Sequence, residues 1–151
     1  DVYKRQMKIS TKGRYALRLM IDLAINGENG LSSTKEIAER QDISRKYLEQ
    51  IMTILNRAGF VKSERGSNGG YRLTRRPPEY TVGEILRLTE GSLAPVSCLD
   101  GDINTCQRQS ACATLMVWKK LDDAIKSVVD NTTLQDLVDE QRLLDTSSYV
   151  I

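Results

Sequence analysis

The stretch from Ser44 to Ala58 has one apolar side and one polar side, and it constrains the fold more than any other part of the chain. Ser44 is a typical N-cap residue, and Ile43 and Leu48 occupy the two positions of a hydrophobic staple around it. The apolar residues that follow recur at helical spacing: Leu48, Ile51, Met52, Leu55 and Ala58. We therefore expect a helix with one continuous buried face, which other elements must cover.

A shorter helix is predicted just before this one. Ser33 and Glu36 form a capping-box pattern, and the apolar residues end before Asp42. Two short helices joined by a tight turn, the second polar at its N-terminal end, are typical of a helix-turn-helix. Side chains able to contact phosphates or base edges project from the first two turns of the second helix: Arg45, Lys46, Glu49, Gln50 and Thr53.

Two β-prone runs follow, residues 60–65 and 71–76, with the glycine-rich segment 66–70 between them. This pattern predicts a β-hairpin, the wing of a winged helix-turn-helix. Basic residues surround its tip: Arg65, Arg72, Arg75 and Arg76. The glycines serve positive-φ turn positions or leave a bare tip that can lie against a nucleic-acid backbone. A merely solvated charged hairpin is the alternative.

Further helices are expected on both sides of this unit. One runs from Ser10 to Asn26 with an apolar stripe, and another runs from Thr81 to Gly91. The stripe of the first helix comprises Ala16, Leu17, Met20, Ile21 and Ala24. The predicted fold is mainly α with a small β-hairpin: a winged helix-turn-helix DNA-binding domain over residues 7–91. Residues 1–6 resemble a translated sequencing adapter and are expected to be non-native.

The C-terminal third is predicted to contain a long helix that starts near Ser110. Its apolar residues follow a heptad seam: Ala111, Thr114, Trp118, Leu121, Ile125 and Val128. A two-fold dimer would match the two half-sites of a palindrome, so we expect this helix to form a homodimer, with docking inside one chain as the alternative. A short terminal helix completes residues 113–144, and residues 145–151 are expected to form a flexible tail.

Charge is divided unevenly along the chain, although the net charge is only +2. Residues 1–92 carry 17 Lys/Arg and 11 Asp/Glu, while residues 93–151 carry 5 and 9. The front half therefore suits a polyanion such as double-stranded DNA. The chain has no histidine, which excludes Ser-His and Cys-His catalysis, and we expect no enzymatic activity. No apolar run approaches the roughly 20 residues that span a bilayer, and the expected compartment is the cytoplasm.

All three cysteines lie within fifteen residues: Cys98, Cys106 and Cys112. They fall in or just after a predicted loop over residues 92–109, among polar and small residues. The sensor region that carries them is placed at residues 92–112. Thiolates that converge on one point favour an iron–sulfur cluster or zinc. A thiol redox switch and inert thiols are the alternatives.

Four segments of this chain together resemble the Rrf2 family of winged-helix transcription regulators. They are residues 8–16, residues 47–50, residues 65–71, and the three-cysteine loop followed by Trp118. The resemblance covers about residues 7–140 and implies a dimeric regulator. In the cluster-bearing members, an iron–sulfur cluster on the cysteine loop controls operator binding.

The resemblance assigns roles to individual residues. By this resemblance the recognition helix carries Ser44, Arg45, Lys46, Tyr47, Glu49 and Gln50, and the wing carries Arg65 and the glycines after it, among them Gly69 and Gly70. The remaining predicted DNA-binding residues are Thr53, Ser67, Asn68 and Arg72. Cys98, Cys106 and Cys112 take the three thiolate positions of the cluster. Glu can accept from cytosine N4, Gln can pair with adenine, and Arg can donate to guanine or enter a narrow minor groove.

The fourth cluster ligand departs from the family pattern. Some members supply a histidine three residues after the third cysteine, where this chain has Leu115. Others supply an acid from the first helix of the partner subunit, where this chain has Arg14. Neither side chain ligates iron, which leaves Asp100, Asp102, a hydroxyl, a small exogenous thiol or an open site. We favour [4Fe–4S], which can leave one iron open, over [2Fe–2S].

The combined prediction is a cytoplasmic, homodimeric transcription regulator that binds a palindromic operator in double-stranded DNA. It senses cluster supply, iron, or oxidative or nitrosative stress, and we expect no membrane partner and no small-molecule substrate. The nearest alternative keeps DNA binding and replaces the cluster with thiol oxidation or zinc. A small iron–sulfur redox protein and a DNA-free interaction adaptor are the alternatives from other classes.

Overall fold

The computed structural model describes residues 8–101, 103–104 and 112–147. In chain order its helices and strands are α1 (Thr11–Asn26), α2 (Thr34–Gln41), α3 (Arg45–Arg57), β1 (Val61–Glu64), β2 (Gly70–Leu73), α4 (Val82–Glu90), α5 (Leu115–Val129) and α6 (Leu134–Ser147). Short 3₁₀ turns occupy Gly27–Asn29, Pro77–Glu79 and Ser97–Leu99. The predicted fold, mainly helical with one small antiparallel hairpin, is confirmed.

Side-chain caps start the first four helices where the sequence predicts them. Ser10 and Ser44 accept hydrogen bonds from the backbone N–H groups of Gly13 and Tyr47. Ser33 and Thr81 form capping boxes with the glutamates three residues later. Each cap satisfies backbone donors that a helix start leaves unpaired, so the N-terminal boundaries are determined locally.

The core forms around α1, which packs against α2, α3, α4, α6 and the hairpin. Leu19 and Leu23 are fully or almost fully buried, although the predicted stripe of α1 omitted them. A helix surrounded on several sides buries a wider arc than one stripe. The apolar face of α3 is confirmed from Leu48 to Leu55, but Ala58 is exposed because α3 ends at Arg57.

The hairpin pairs β1 with β2 in antiparallel register, with Val61 opposite Leu73 and Glu64 opposite Gly70. Ser32, just before α2, adds a bridge to β2 through two backbone hydrogen bonds with Tyr71, at 2.8 and 3.2 Å. The segment that leads into the helix-turn-helix is therefore joined to the wing by a single isolated bridge.

The C-terminal helix α6 belongs to the same core as the N-terminal elements. Leu134 and Val138 are buried within the cluster formed by α1 and α3, and the Leu134 N–H donates to the Tyr80 carbonyl at 3.0 Å. The winged domain predicted for residues 7–91 did not include α6, which packs into the same core. The terminal helix is longer than predicted, since α6 has 14 residues and continues to Ser147.

The start of α5 differs from the prediction. Cys112, Ala113 and Thr114 are not helical, and the helix begins at Leu115. The Leu115 N–H donates to the Cys112 carbonyl at 3.2 Å in a tight turn, so a continuous helix from Ser110 is excluded. Ala111, the first residue of the predicted seam, lies outside the described residues.

A bidentate ion pair fastens the end of α5 to α4. Arg87 donates to the two carboxylate oxygens of Asp130 at 2.6 and 3.0 Å. Gly83 permits this close approach, because a Cβ at that position would meet the Asp130 carboxylate and the Arg87 guanidinium. The hydrogen bond from Arg87 is the main cause that lowers the pKa of Asp130 below its ordinary value.

Candidate DNA-binding surface and cysteine region

The N-terminal half of α3 exposes the side chains that the sequence predicts to contact phosphates or base edges. These side chains are Arg45, Lys46, Glu49, Gln50 and Thr53. The opposite face is fully buried, so the orientation of α3 is set by the core. Arg45 and Lys46 form no ion pair with any described residue, which leaves both cations available to an anionic partner.

Two predicted contact residues also have structural tasks. The Ser44 hydroxyl accepts the N-cap hydrogen bond at 3.1 Å. The half-buried Tyr47 ring meets Tyr15 of α1 edge-to-face, with ring centroids 5.7 Å apart. Arg18 in turn lies over the Tyr15 ring at 4.5 Å. This aromatic contact fixes the start of α3 against α1.

The wing tip exposes Arg65, Ser67 and Asn68. Gly66 has a φ of 119°, so it supplies the left-handed turn position predicted for the glycines. Gly69 and Gly70 are explained by steric crowding. A Cβ at Gly69 would collide with the Glu64 carbonyl, and a Cβ at Gly70 would collide with the Ser32 backbone. These two glycines are therefore required by close packing of the backbone, whatever the tip binds.

The hairpin register identifies one candidate that the sequence reasoning missed. Lys62 stands directly opposite Arg72, and both side chains are exposed on the same face of the hairpin. Like charges in this position repel each other, so the pair favours a bound anion between or beside them. Arg72 also lies 3.4 Å from Glu64, a weak surface ion pair. Only the strand register could have revealed this pair.

The base of the wing lies close to the recognition helix. Tyr71 of β2 is half-buried, and burial first and the negative charge of Glu49 second raise the pKa of its phenol above the ordinary value. Glu49 is therefore near enough to Tyr71 for its charge to act there. The two parts of the candidate DNA-binding surface meet at these residues.

A buried carboxylate links the helix-turn-helix to the wing. Asp22 accepts hydrogen bonds from Arg40 at 2.7 to 3.2 Å and from Gln41 at 2.9 Å. Arg40 also donates to the Ser32 hydroxyl at 3.0 Å, and Ser32 pairs with β2. The hydrogen bond with Asp22 is the main cause that raises the pKa of Arg40. One network thus joins α1, α2 and the wing.

The cysteine region lies between the winged domain and α5. Cys98 is a half-buried free thiol in the 3₁₀ turn Ser97–Leu99. Cys112 is half-buried in the turn that opens α5, and its Sγ lies 3.2 Å from the Thr114 hydroxyl oxygen. Cys106 and Asp102 lie outside the described residues. Within the described ranges, no three His, Cys, Asp or Glu side chains are grouped to hold a metal ion.

The two positions that depart from the family ligand pattern have clear structural contexts. Leu115 is buried as the first residue of α5, where an aliphatic side chain packs and cannot ligate. Arg14 is exposed on α1. The described thiols are nonetheless the soft donors that iron–sulfur clusters require, so the donor chemistry of this region fits such a group.

A recognition helix beside a basic hairpin defines a winged helix-turn-helix protein of the DNA-binding transcription regulators. Residues 9–140 match the family model Rrf2, described as iron-dependent transcriptional regulator. The chain belongs to the Rrf2 family.

Two relatives and one solved structure show how similar the chain is to regulators of this family. The chain is 45% identical over 131 residues to the regulator CymR of Bacillus subtilis, covering 87% of this chain and 89% of that protein. It is 38% identical over 141 residues to the regulator IscR of Cronobacter sakazakii, covering 93% and 86%. A solved structure described as CymR, the global cysteine regulator of B. subtilis, superposes with a TM-score of 0.74 at 42% identity, covering 88% and 97%.

These relatives are transcriptional regulators, and the expectation that the chain is not an enzyme is confirmed by them. In the described part of the chain, no helix has the length and apolar character needed to cross a membrane.

Proposed function

We propose that this chain is a transcriptional repressor or dual regulator that binds a palindromic operator in double-stranded DNA as a homodimer in the cytoplasm. The observation that carries the proposal is the α3 surface, where five exposed polar side chains lie opposite a fully buried face. A rigid helix with such a face fits the major groove. The exposed cations of the wing extend the same basic surface.

Distinct residues would read bases and hold phosphates. Glu49 and Gln50 carry acceptors and donors suited to base edges, while Arg45 and Lys46 at the start of α3 suit phosphates. Arg65, Ser67, Asn68 and Arg72 would contact the adjacent backbone or minor groove. Ser44 and Tyr47 would support the helix start, and Gly69 and Gly70 allow the tight hairpin that carries Arg65.

The dimer is proposed to form through α5. A 4-3-4 spacing relates Val117, Leu121, Ala124 and Val128, of which Leu121 is half-buried and the other three are exposed. This stripe shares Leu121 and Val128 with the predicted seam. Trp118 and Ile125, which the predicted seam included, are half-buried. A stripe of this spacing suits pairing with a second helix of the same kind, and a two-fold dimer matches a palindrome.

Cys98, Cys106 and Cys112 are proposed to hold an iron–sulfur cluster, with the fourth ligand supplied from outside the three thiols. Such a group would bind the loop through several thiolates when present and release it when lost to oxidants or nitric oxide. The residues of this chain then connect the loop to the DNA-binding surface. Gly91 ends α4 just before the loop, and Glu90 accepts hydrogen bonds from Ser10 at the start of α1.

The DNA-binding proposal is tested with the full chain and a fragment of its own promoter region. We expect specific binding at 150 mM salt that weakens steeply as salt rises, with two half-sites protected from cleavage. Gln50→Ala should cost about 1–3 kcal/mol in operator binding and relax base preference at one position of each half-site. Absence of sequence-specific binding by both cluster-loaded and cluster-free protein would reject the proposal in favour of an interaction adaptor.

The cluster proposal has its own readout. Anaerobic reconstitution with iron and sulfide should give brown protein, and Cys106→Ala should lose the visible absorbance. Cys98→Ala and Cys112→Ala should behave alike if all three thiolates are ligands. Colourless protein after reconstitution would contradict the cluster and leave the DNA-binding proposal intact.

A second candidate keeps DNA binding and uses thiol oxidation or zinc at the same cysteines. Two observations favour it: a relative with 42% identity is described as a cysteine regulator, and Leu115 and Arg14 replace the family ligands. Elemental analysis separates the variants. One zinc and no sulfide per chain indicates zinc, whereas a metal-free protein that forms a disulfide under peroxide indicates the redox switch.

A further inference from the structure

A cavity of about 360 Å³ lies between the C-terminal end of α1, the base of the wing and α6. Its volume falls within the range of about 300–1,000 Å³ that small-molecule sites occupy. Neither α3 nor the described cysteines line it, and among the residues proposed to contact DNA it includes Arg72 of the wing alone.

The wall of the cavity combines an apolar surface with basic groups. Leu23, Leu73 and Val138 supply apolar surface from α1, β2 and α6. Leu23 and Val138 belong to the core, so this part of the wall is preformed and rigid. A rigid apolar wall with a few polar groups is the usual composition of a ligand site.

Three arginines line the cavity against a single acid, Glu28. Arg142 lies 3.3 Å from Glu28, and both side chains are exposed at 48% and 75%, so this ion pair is weak. Arg72 is similarly held by weak contacts, with the exposed Glu64 at 3.4 Å and the Leu73 carbonyl at 3.4 Å. Both guanidinium groups can therefore turn to a stronger anion. Arg75 is committed elsewhere, since it lies over the Phe60 ring at 4.8 Å and donates to the Glu79 carbonyl.

We propose that this cavity binds a small amphipathic carboxylate. Its apolar part packs on Leu23, Leu73 and Val138, and its carboxylate accepts hydrogen bonds from Arg142 and Arg72. Because β2 belongs to the wing and α6 follows α5, the ligand contacts both the DNA-binding unit and the C-terminal helices. Binding there couples reciprocally to operator affinity if the DNA-bound and DNA-free protein bind the ligand unequally.

Ligand binding is measured first without DNA, so that a negative result for the cavity can be distinguished from a failure of the proposed DNA-binding function. Titration calorimetry of the full chain with hexanoate, acetate and hexan-1-ol at constant ionic strength separates the apolar and ionic parts. We expect hexanoate to bind about ten- to a hundredfold more tightly than acetate, because the added methylenes are buried. Hexan-1-ol should bind more weakly than hexanoate. Equal responses to all three probes would overturn the proposal.

Two substitutions at the rim should act in opposite directions. Arg142→Gln should weaken hexanoate binding about tenfold, whereas Glu28→Gln should strengthen it because it removes the competing acid. Arg57→Gln, an exposed arginine at the end of α3 outside the cavity, is the matched control and should leave hexanoate affinity unchanged. Far-UV circular dichroism verifies that each variant is folded. If Arg57→Gln weakens binding as much as Arg142→Gln, general charge attraction explains the result and the site is rejected.

Discussion

The winged domain, formed by α1 to α4, the hairpin and α6, differs from α5 in how it buries apolar side chains. In the winged domain, Leu19, Ile51 and Leu55 are completely buried within one chain. In α5, which the structure describes in full, Leu115 is the one buried apolar residue, while Val117 and Val128 are 49% and 64% exposed. The winged domain therefore has a complete core, whereas one side of α5 has no covering surface within the chain. Apolar side chains exposed in this way would be stabilised further by a partner.

The largest expected effect comes from placing a charge on the exposed stripe of α5. Val128→Glu should convert the proposed dimer to a monomer and weaken binding to a two-half-site operator by more than about 100-fold, because simultaneous half-site binding is lost. Sedimentation equilibrium and operator titration measure both effects. Ser127→Glu adds the same charge at the neighbouring exposed position off the stripe, and it should remain dimeric. Dimeric Val128→Glu would show that α5 pairs through another face.

The next effect concerns the winged domain itself. Asp22→Ala removes the buried acceptor of Arg40 and Gln41, and it should lower the free energy of unfolding by about 2–3 kcal/mol. The value stays below that for a fully buried pair because Arg40 is 33% exposed. Urea unfolding measures the change in the free energy of unfolding. The control Asp123→Ala, on the exposed side of α5, should change this free energy by less than about 0.5 kcal/mol. A similar small change for Asp22→Ala would mean that the network does not hold the wing.

A smaller change is expected for the cation pair of the hairpin. Lys62→Gln should lower operator affinity about three- to tenfold and reduce the slope of log affinity against log salt by about 0.9, as expected for one lost phosphate contact. The unfolding free energy should not fall, because Lys62 faces Arg72. Fluorescence anisotropy at several salt concentrations measures the slope. Lys119→Gln on α5 is the control, and an equal loss there would indicate bulk charge alone.

The smallest effect tests the contact between the two regions. The pKa of Asp130 is lowered by Arg87, so the pair stabilises the fold above the ordinary carboxyl pKa of 3.8 and loses this contribution as pH falls through the lowered pKa. Both side chains are more than a third exposed, which limits the contribution to about 1 kcal/mol or less. Asp130→Asn should therefore be less stable than the parent at pH 7 and equal to it near pH 2, by urea unfolding. A difference that persists at pH 2 would implicate packing instead.

The local parts of the fold were predictable from sequence because their determinants lie within a few residues. Ser10, Ser33, Ser44 and Thr81 cap helices through donors three residues away. The glycine-rich segment also predicted the hairpin correctly. The exposed face of α3 followed in the same way, since a helix that buries Leu48 and Ile51 must turn its remaining side outward.

Longer-range features were missed because they depend on partners distant in the sequence. No local pattern shows that α6 returns to bury Leu134 in the core that contains Tyr80, so the predicted winged domain did not include α6. The predicted seam of α5 included Trp118, Leu121, Ile125 and Val128 on spacing alone. Trp118, Leu121 and Ile125 are half-buried, whereas Val117 and Val128 are exposed. The charge repulsion between Lys62 and Arg72 requires the strand register.

The sequence by itself determined the N-terminal boundaries of the first four helices, the basic helix-turn-helix and wing, and the family to which the chain belongs. Caps, turns and apolar periodicity are short-range physics, and they persist in any fold that contains these segments. Only the tertiary structure decided which apolar faces share the core, how Asp22 joins the helices to the wing, and which stripe of α5 is left uncovered. Those outcomes depend on packing between segments that can be more than a hundred residues apart, which no local pattern encodes.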